Sequence, residues 1–333
     1  MLCSVASILL VCTIVLAVGR AARPPKEIPL DLRDRYTVNG TVGIESFYVD
    51  DTNAGKETHF VFSEKSMNSY VKGIRKSFLK VMLMDTRAKL EGSELDTMHD
   101  TWNVQKADWI FFAMYKYSSS FKDKSVVVFG SSEPTYEAAA LSLEAEHVTT
   151  VEYNNLTYAH PNVTTISKYQ FSELYACNGQ YQNSFDVAVS ISSFDHDGLG
   201  RYGDPLDPEG DLKAMANAMS VLKPGGLMLL TVPIGPDLVV FNLLRRYGAV
   251  RLPMLLSGWE VVEKMFWEEN KLIEPAQNYR RSYEPVLILR KPLDYVSPPC
   301  GGAAFEAISD EIFDTTSEGA PRLNDKDSLA NEL

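Results

Sequence analysis

Cysteine and histidine are scarce in this sequence. Of its 333 residues, four are cysteine and five are histidine. Cys3 and Cys12 lie in an apolar N-terminal run, which leaves Cys177 and Cys300 for the body of the protein. These two could form one disulfide in an oxidising compartment or stay as free thiols. Because no Cys-x-x-Cys or histidine-rich pattern is present, the sequence predicts no metal site of that kind.

Basic residues are also few relative to acidic ones. The chain has 32 lysines and arginines against 44 aspartates and glutamates, which gives a formal net charge of −12. A nucleic-acid surface needs clustered lysine and arginine, so this balance argues against nucleic acid as a partner. Much of the acidic excess follows Glu306, in a stretch with few large apolar residues. This composition predicts a disordered acidic tail over residues 292–333.

A long uncharged run opens the sequence. Residues 2–18 carry no charge, and Arg20, Arg23 and Lys26 follow them. The pattern is typical of a secretory signal peptide or of an uncleaved signal anchor. We therefore predict that residues 1–23 direct the chain into the secretory pathway, to a luminal, extracellular or membrane-anchored location. Contact with the membrane is expected through this segment alone, and the flanking charges would leave the body of an uncleaved form cytosolic.

Three matches to the N-glycosylation pattern are present. They lie at Asn39, Asn155 and Asn162. Roughly two such matches are expected by chance at this composition, so they favour a luminal glycoprotein only slightly.

Short apolar strands alternate with helices through the middle of the chain. We predict strands over residues 125–129, 148–153, 162–166, 185–191 and 227–232. This alternation is typical of a doubly wound, mostly parallel α/β sheet. Two later strands joined by a loop imply an antiparallel edge strand, and the pattern over residues 238–247 predicts a helix. Residues 24–124 are predicted to form a linker and a helical N-terminal extension of an α/β domain at 125–291.

The ends of the first two strands hold candidate ligand-binding residues. Gly130 follows the first strand and lets the backbone approach a bound nucleotide, and Ser132 lies in the same turn. Glu152 ends the second strand, 22 positions after Gly130. A carboxylate at that place can accept hydrogen bonds from both hydroxyls of a ribose. The alternatives are a purely structural corner at Gly130 and a solvated glutamate at 152.

A long acidic loop follows the strand at residues 185–191. Asp195, His196 and Asp204 in this loop are the candidate catalytic residues, as a general base or to orient an acceptor hydroxyl. Several of the loop carboxylates could instead hold a divalent cation. They could also be ordinary turn and helix-capping residues.

Two segments resemble the class I S-adenosylmethionine-dependent methyltransferases. FDVAVS with the following SSFDH resembles the fourth strand and turn of that family, and LKPGG before LMLLTVP resembles the turn into the fifth strand. The resemblance covers about residues 125–291 and implies a methyltransferase-like Rossmann fold. It also implies S-adenosylmethionine as cofactor, bound by Gly130, Ser132, Glu152 and Ser192. The cofactor turn departs from the family pattern, because Val128 replaces the strand acid and Ser132 and Pro134 replace the later glycines.

A second resemblance concerns the acidic loop. The run DGLGRYGDPLDPEGDL resembles a nematode-rich group called the "domain of unknown function 268" family, which is itself similar to methyltransferases. Together the resemblances favour a methyltransferase that acts on a small molecule or a glycan, by in-line transfer to a positioned acceptor. Two alternatives stay open. They are a catalytically silent relative that serves as a binding or structural module, and another nucleotide-dependent enzyme on a similar sheet.

Overall fold

The structure, a computed structural model, describes residues 23–52, 60–92, 106–172, 179–274 and 282–296. The predicted signal segment (apart from Arg23), Cys177, Cys300 and all but the first residues of the predicted acidic tail lie outside these ranges. Within the described ranges, no helix is both long enough and apolar enough to cross a membrane. The three asparagines of the glycosylation pattern are described and exposed, and their modification stays a prediction.

A seven-stranded sheet lies at the centre of the molecule. Its strands are β3 (Ser125–Phe129), β4 (His147–Glu152), β6 (Val163–Ser167), β7 (Phe185–Ile191), β8 (Leu222–Thr231), β11 (Glu260–Met265) and β12 (Val286–Arg290). They lie side by side in the order β11-β12-β8-β7-β3-β4-β6. The chain winds outward from β3 in both directions, so the strand order reverses between β3 and β7. The predicted methyltransferase-like Rossmann fold is confirmed.

The antiparallel strand lies one place inside the edge of the sheet, whereas the sequence placed it at the edge. β12 pairs antiparallel with both β8 and β11. Its residues 286–289 are all buried, while Glu260, Val261 and Lys264 of β11 are exposed. A fully buried strand needs hydrogen-bond partners along both of its sides, and a charged strand tolerates an open side. The more polar β11 therefore takes the edge.

Helices cover both faces of the sheet, as a doubly wound fold requires. Alternate residues of β3 show this, because Val127 and Phe129 join one hydrophobic cluster and Val126 and Val128 join the other. Successive side chains of a strand point to opposite faces, so each cluster fills one face. On the Val126 face lie α2 (Glu64–Leu90), α3 (Lys106–Lys116) and α4 (Thr135–Ser142), and on the other lie α5 (Gly210–Val221) and α6 (Arg251–Leu255).

The N-terminal lead-in packs into the core and is not the irregular linker that the sequence predicts. It contains α1 (Arg33–Tyr36) and β1 (Gly43–Ser46), and Tyr36 is fully buried. β1 pairs parallel with β9 (Leu238–Phe241), which pairs antiparallel with β10 (Leu244–Arg246). The helix predicted over residues 238–247 is therefore wrong. Its residues form strands because β1, almost 200 positions earlier in the chain, pairs with β9, and β9 in turn pairs with β10.

A two-stranded parallel sheet lies apart from the two larger sheets in strand pairing. It joins β2 (Phe60–Phe62) to β5 (Leu156–Tyr158) beside the start of α2. Phe62 packs edge-on against Tyr158 with ring centroids 5.3 Å apart, which links the helical extension to the region that follows β4.

Candidate active site

The carboxyl ends of β3, β4 and β7 meet at a cavity of about 410 Å³. It lies at the point where the strand order reverses, which is the usual ligand position in an open α/β sheet. Five of the residues singled out from the sequence line it, namely Gly130, Ser132, Glu152, Ser192 and His196. The structure does not bring Asp195 and Asp204 to this lining. Asp195 is fully buried and Asp204 is buried within the acidic loop.

Gly130 occupies a position that no side chain could share. Its φ is +72°, and a Cβ atom there would lie 1.9 Å from Oγ of Ser193. The turns after β3 and β7 are therefore in direct contact, and glycine is needed both for the backbone conformation and for the space. The glycine that this chain retains from the methyltransferase pattern is the one that the packing requires.

Ser192 begins the turn on the β7 side. Its φ is +51°, an uncommon value for a residue other than glycine. The N–H of Ser192 donates to the carbonyl oxygen of Thr231 at 2.9 Å, which fixes this turn to the end of β8.

A buried carboxyl group, that of Glu137, binds the turn that follows Gly130. Glu137, in the first turn of α4, has no exposed surface. It accepts hydrogen bonds from the hydroxyls of Ser131 at 3.1 Å and Thr150 at 2.8 Å, and so connects the turn to β4. Burial raises the pKa of Glu137 to about 7, although both hydroxyls oppose the shift. The sequence analysis missed this residue, whose only signal is an acid at the start of an alanine-rich helix.

Replacement of Glu137 by glutamine should change how stability depends on pH. The folded-state pKa of about 7 exceeds the ordinary 4.5, so the folded state binds the extra proton and loses stability as pH rises between these values. Glutamine keeps the shape and removes the titration. Relative to Glu137→Gln, we expect the wild type to lose about 2 kcal/mol between pH 5.5 and 8 in urea unfolding. Parallel pH profiles for the two proteins would contradict this assignment, and the exposed Glu146→Gln serves as control.

Glu152 is held at the end of β4 with its carboxylate toward the cavity. Its Oε1 accepts from the backbone N–H of Asn154 at 3.2 Å and from the side-chain amide of Asn154 at 2.9 Å. Burial raises the pKa of Glu152, and the N–H groups of Asn154 and Tyr153 oppose this effect. Glu152 also lines a second cavity of about 490 Å³, toward β5 and β6. A ligand bound by this carboxylate can therefore extend to both sides of it.

His196 is fixed in one tautomer by the backbone. Its Nδ1 lies 2.6 Å from the carbonyl oxygen of Leu243, in the turn between β9 and β10. Because a carbonyl oxygen can only accept, Nδ1 carries the proton and Nε2 of the neutral ring is left as an acceptor. Asp195 Oδ2 lies 3.6 Å from the same Nδ1, so Asp195 is behind the ring and not in the cavity. The ring itself contacts Tyr202 edge-on, with centroids 6.0 Å apart.

A family model matches residues 123–290, just over half of the chain. Its description is "Caenorhabditis protein of unknown function, DUF268". The chain belongs to the DUF268 family. The matched region runs from β3 to β12 and contains every predicted site residue. No match was found among curated proteins.

Solved structures of methyltransferases are similar to this DUF268 chain at low identity. An S-adenosylmethionine-dependent methyltransferase from Mesorhizobium loti is 12% identical, with a TM-score of 0.36 over 54% of this chain and 98% of that one. A Burkholderia thailandensis 1,6-didemethyltoxoflavin-N1-methyltransferase is 17% identical, with a TM-score of 0.39 over 65% and 89%. The latter was solved with 1,6-didemethyltoxoflavin and S-adenosylhomocysteine bound.

The acidic loop of the DUF268 chain has its carboxylates engaged in the fold. Asp204 accepts from the N–H groups of Gly200 and Tyr202, at 3.1 and 3.2 Å. Asp207 forms an ion pair with Lys213 at 2.8 Å, and Arg35 of α1 binds both carboxylate oxygens of Glu209. No group of three or more metal-binding side chains lies together in the described ranges. The contacts of Asp204, Asp207 and Glu209 are of the turn and ion-pair kind, and a catalytic or cation-binding role for the loop stays a prediction.

Two fully buried arginines hold the DUF268 loop against the core. Arg245 donates to the carbonyl oxygens of Asp197, Asp207 and Pro208. Arg251 donates to Pro208 and forms an ion pair with Asp211, to which Tyr247 also donates at 2.9 Å. Burial alone would raise the pKa of Asp211, but the two arginines together hold it below its ordinary value. The sequence analysis missed both arginines because they follow the loop by more than 30 positions.

Basic side chains near the main cavity already have acidic partners. Lys168 pairs with Asp197 and lies 4.6 Å above the ring of Tyr153. Arg201 pairs with Asp51 at 2.7 Å and lies over the ring of Tyr202. Tyr153 and Tyr202 are stacked with centroids 6.2 Å apart and form an aromatic wall of the cavity.

Proposed function

We propose that this protein is an S-adenosylmethionine-dependent methyltransferase that acts on a small molecule or a glycan. The charge of the cavity is the observation that carries this proposal. Glu133 and Glu152 are in its lining, and none of the described lining residues is a lysine or an arginine. S-adenosylmethionine carries a sulfonium and an ammonium group against one carboxylate, so its net charge is about +1 and the lining attracts it overall. Dinucleotides and sugar nucleotides bring phosphates, which such a lining would repel, so the other nucleotide-dependent enzyme is the weaker alternative.

The residues at the strand ends fit this cofactor. Glu152 would accept the ribose hydroxyls, while Gly130, Ser132 and Ser192 leave backbone and hydroxyl groups at the cavity wall. The Oδ1 atom of Asn154 is buried and has no hydrogen-bond partner within the part of the chain that the structure describes, and Asn154 lines both cavities. A buried acceptor of this kind is stabilised when a ligand supplies an N–H or O–H donor. The two cavities would take the two ends of a ligand whose ribose binds between them.

His196 is the predicted catalytic residue that the geometry favours as a general base. The bound cofactor would supply an electrophilic methyl group. His196 would accept the proton of the acceptor hydroxyl or amine on Nε2. The carbonyl oxygen of Leu243 would meanwhile keep its hydrogen bond from Nδ1–H, so that the other proton stays on Nδ1. Asp204 would affect the cavity indirectly, because it accepts a hydrogen bond from the backbone N–H of the lining residue Tyr202. Asp195 lies behind the His196 ring and would affect its orientation.

A catalytically silent binding protein is the second candidate. The departures at the cofactor turn favour it, since Val128 replaces the strand acid and Pro134 replaces the last glycine of the pattern. A silent relative would retain the cavity without transferring a methyl group. Cofactor binding alone does not separate the two candidates, whereas a change at His196 that abolishes methyl transfer does.

Isothermal titration of the purified protein with S-adenosylmethionine tests the proposal. We expect binding by the wild type and a 10- to 100-fold loss of affinity for Glu152→Gln, because charge-assisted hydrogen bonds to the ribose are lost. Glu146→Gln is the matched control, since Glu146 is exposed just before the other end of β4. Absence of binding by a folded wild type at millimolar cofactor would contradict the function. Binding that Glu152→Gln leaves unchanged would contradict the ribose assignment alone.

A further inference from the structure

We infer that this cavity discriminates by charge between the methyl donor and its demethylated product, and binds S-adenosylmethionine more tightly than S-adenosylhomocysteine. The inference rests on the proposed function and adds a regulatory property to it. The product would leave readily, so turnover would be resistant to product inhibition. The juxtaposition that supports it is two carboxylates on the cavity wall, beside which the described basic side chains, Lys168 and Arg201, are already paired.

The two carboxylates come from different elements of the site. Glu133 lies in the turn between β3 and α4 and is exposed, with Oε2 3.4 Å from the hydroxyl of Tyr70. Glu152 lies at the end of β4 and is nearly buried, at 9% exposure. Both are lining residues of the same 410 Å³ cavity. Neither has an ion-pair partner among the described residues.

Two further carboxylates beside the cavity are held in ion pairs. Asp197 also lines the cavity, but Lys168 neutralises it. Arg201, beside the lining residue Tyr202, is neutralised by Asp51. Among the described residues, the lining thus has two carboxylates outside ion pairs, although Lys168 also acts on Glu152 from a distance. A cavity with low-dielectric walls focuses their field on a bound ligand.

Methyl transfer removes the ligand charge that this field attracts. The sulfur–methyl bond breaks, its electron pair stays on sulfur, and a bond forms between the methyl carbon and the acceptor. The acceptor proton passes to a base, which is His196 in the proposed function. The sulfonium becomes a neutral thioether, so the ligand changes from a net charge of about +1 to about zero. The carboxylates therefore favour the donor state over the product state.

Titration of the full-length protein with three ligands tests the inference. These are S-adenosylmethionine, S-adenosylhomocysteine and sinefungin, in which a protonated amine takes the place of the sulfonium methyl. We expect the two cationic ligands to bind about 10-fold more tightly than the neutral product at low salt. This ratio should decrease as salt increases, because Glu133 is exposed and its field is screened.

Glu133→Gln removes the negative charge of this side chain and keeps its shape. We expect it to reduce the donor-to-product affinity ratio about 3-fold, mainly by weakening the donor, because an exposed charge contributes modestly. Glu146→Gln removes one negative charge beyond the opposite end of β4 and should leave the ratio unchanged. Equal affinities in the wild type, or an equal loss for donor and product in Glu133→Gln, would overturn the inference alone. Failure of all three ligands to bind a folded protein would overturn the proposed function and the inference together.

Discussion

Replacement of His196 by asparagine should abolish most methyl transfer while leaving cofactor binding nearly unchanged. The asparagine side-chain amide can still donate to the carbonyl oxygen of Leu243, which in the wild type holds Nδ1 at 2.6 Å. It has no counterpart of Nε2, the atom that would accept the proton in the proposed function. A positioned general base contributes about 10²- to 10⁴-fold in rate, and we expect a loss within that range. The assay is transfer of labelled methyl from S-adenosylmethionine into an extract of small molecules and glycans.

A second histidine provides the control for this experiment. His147 begins β4 and lies at the end of the strand opposite Glu152. His147→Asn removes an imidazole of the same chemistry far from the cavity, so methyl transfer should be unaffected. Activity that survives in His196→Asn would remove His196 from the catalytic role. No activity in the wild type, with cofactor binding intact, would favour the catalytically silent candidate.

The sheet could be predicted from the sequence because its strands are buried on both faces. Such strands are short, nearly continuous apolar runs, and β3 and β7 have the predicted bounds. Once the winding is known, the residues at the strand ends must meet at the reversal point. Gly130, Glu152 and His196 therefore reach one cavity even though more than 60 positions separate the first from the last. Their places at or just after the carboxyl ends of predicted strands were sufficient to predict that they lie near one another.

The role of the acidic loop could not be predicted from the sequence, because it depends on residues far away in the chain that contact the loop. A cluster of aspartates has the same composition whether it binds a cation, activates a nucleophile or pairs with arginine. Arg245 lies in a segment for which the sequence predicts a helix, and its strand β10 pairs with β9, whose other neighbour is the distant β1. Nothing near the loop in sequence indicates these contacts.

The run that resembles the DUF268 family is built for packing. Gly198 has a φ of +76°, and a Cβ atom there would lie 2.1 Å from the carbonyl oxygen of Asp207. At Gly210 the corresponding distance to the carbonyl oxygen of Asp197 is 2.7 Å. The loop thus folds back on itself so closely that only glycine fits at both points. Its acidic residues make hydrogen bonds and ion pairs within that arrangement, so the run marks a packing feature, and the proposed cofactor site lies beside it at the strand ends.

Asp211→Ala should show how much of the fold depends on this loop. Asp211 is fully buried and is shared by Arg251, Arg245 and Tyr247. Its removal leaves two buried guanidinium groups without a carboxylate, and loss of one partner from a buried ion pair costs about 3–5 kcal/mol. We expect a decrease of that size in the free energy of unfolding, measured by urea titration with circular dichroism. Asp211→Asn, which retains one acceptor oxygen, should lose less.

A paired replacement separates charge burial from loss of packing. In Asp211→Leu with Arg251→Met, both members of this pair become apolar and Arg245 is the one remaining guanidinium that loses Asp211. The double variant should therefore recover part of the stability that Asp211→Ala loses. An exposed pair gives the scale for comparison. Lys122 and Glu144 bond at 2.5 Å but are 61% and 65% exposed, so solvent screens the pair and Glu144→Gln should change the free energy of unfolding very little. If Asp211→Ala cost no more than Glu144→Gln, the loop would not be held by its buried charges, and the packing role assigned to the acidic run would be wrong.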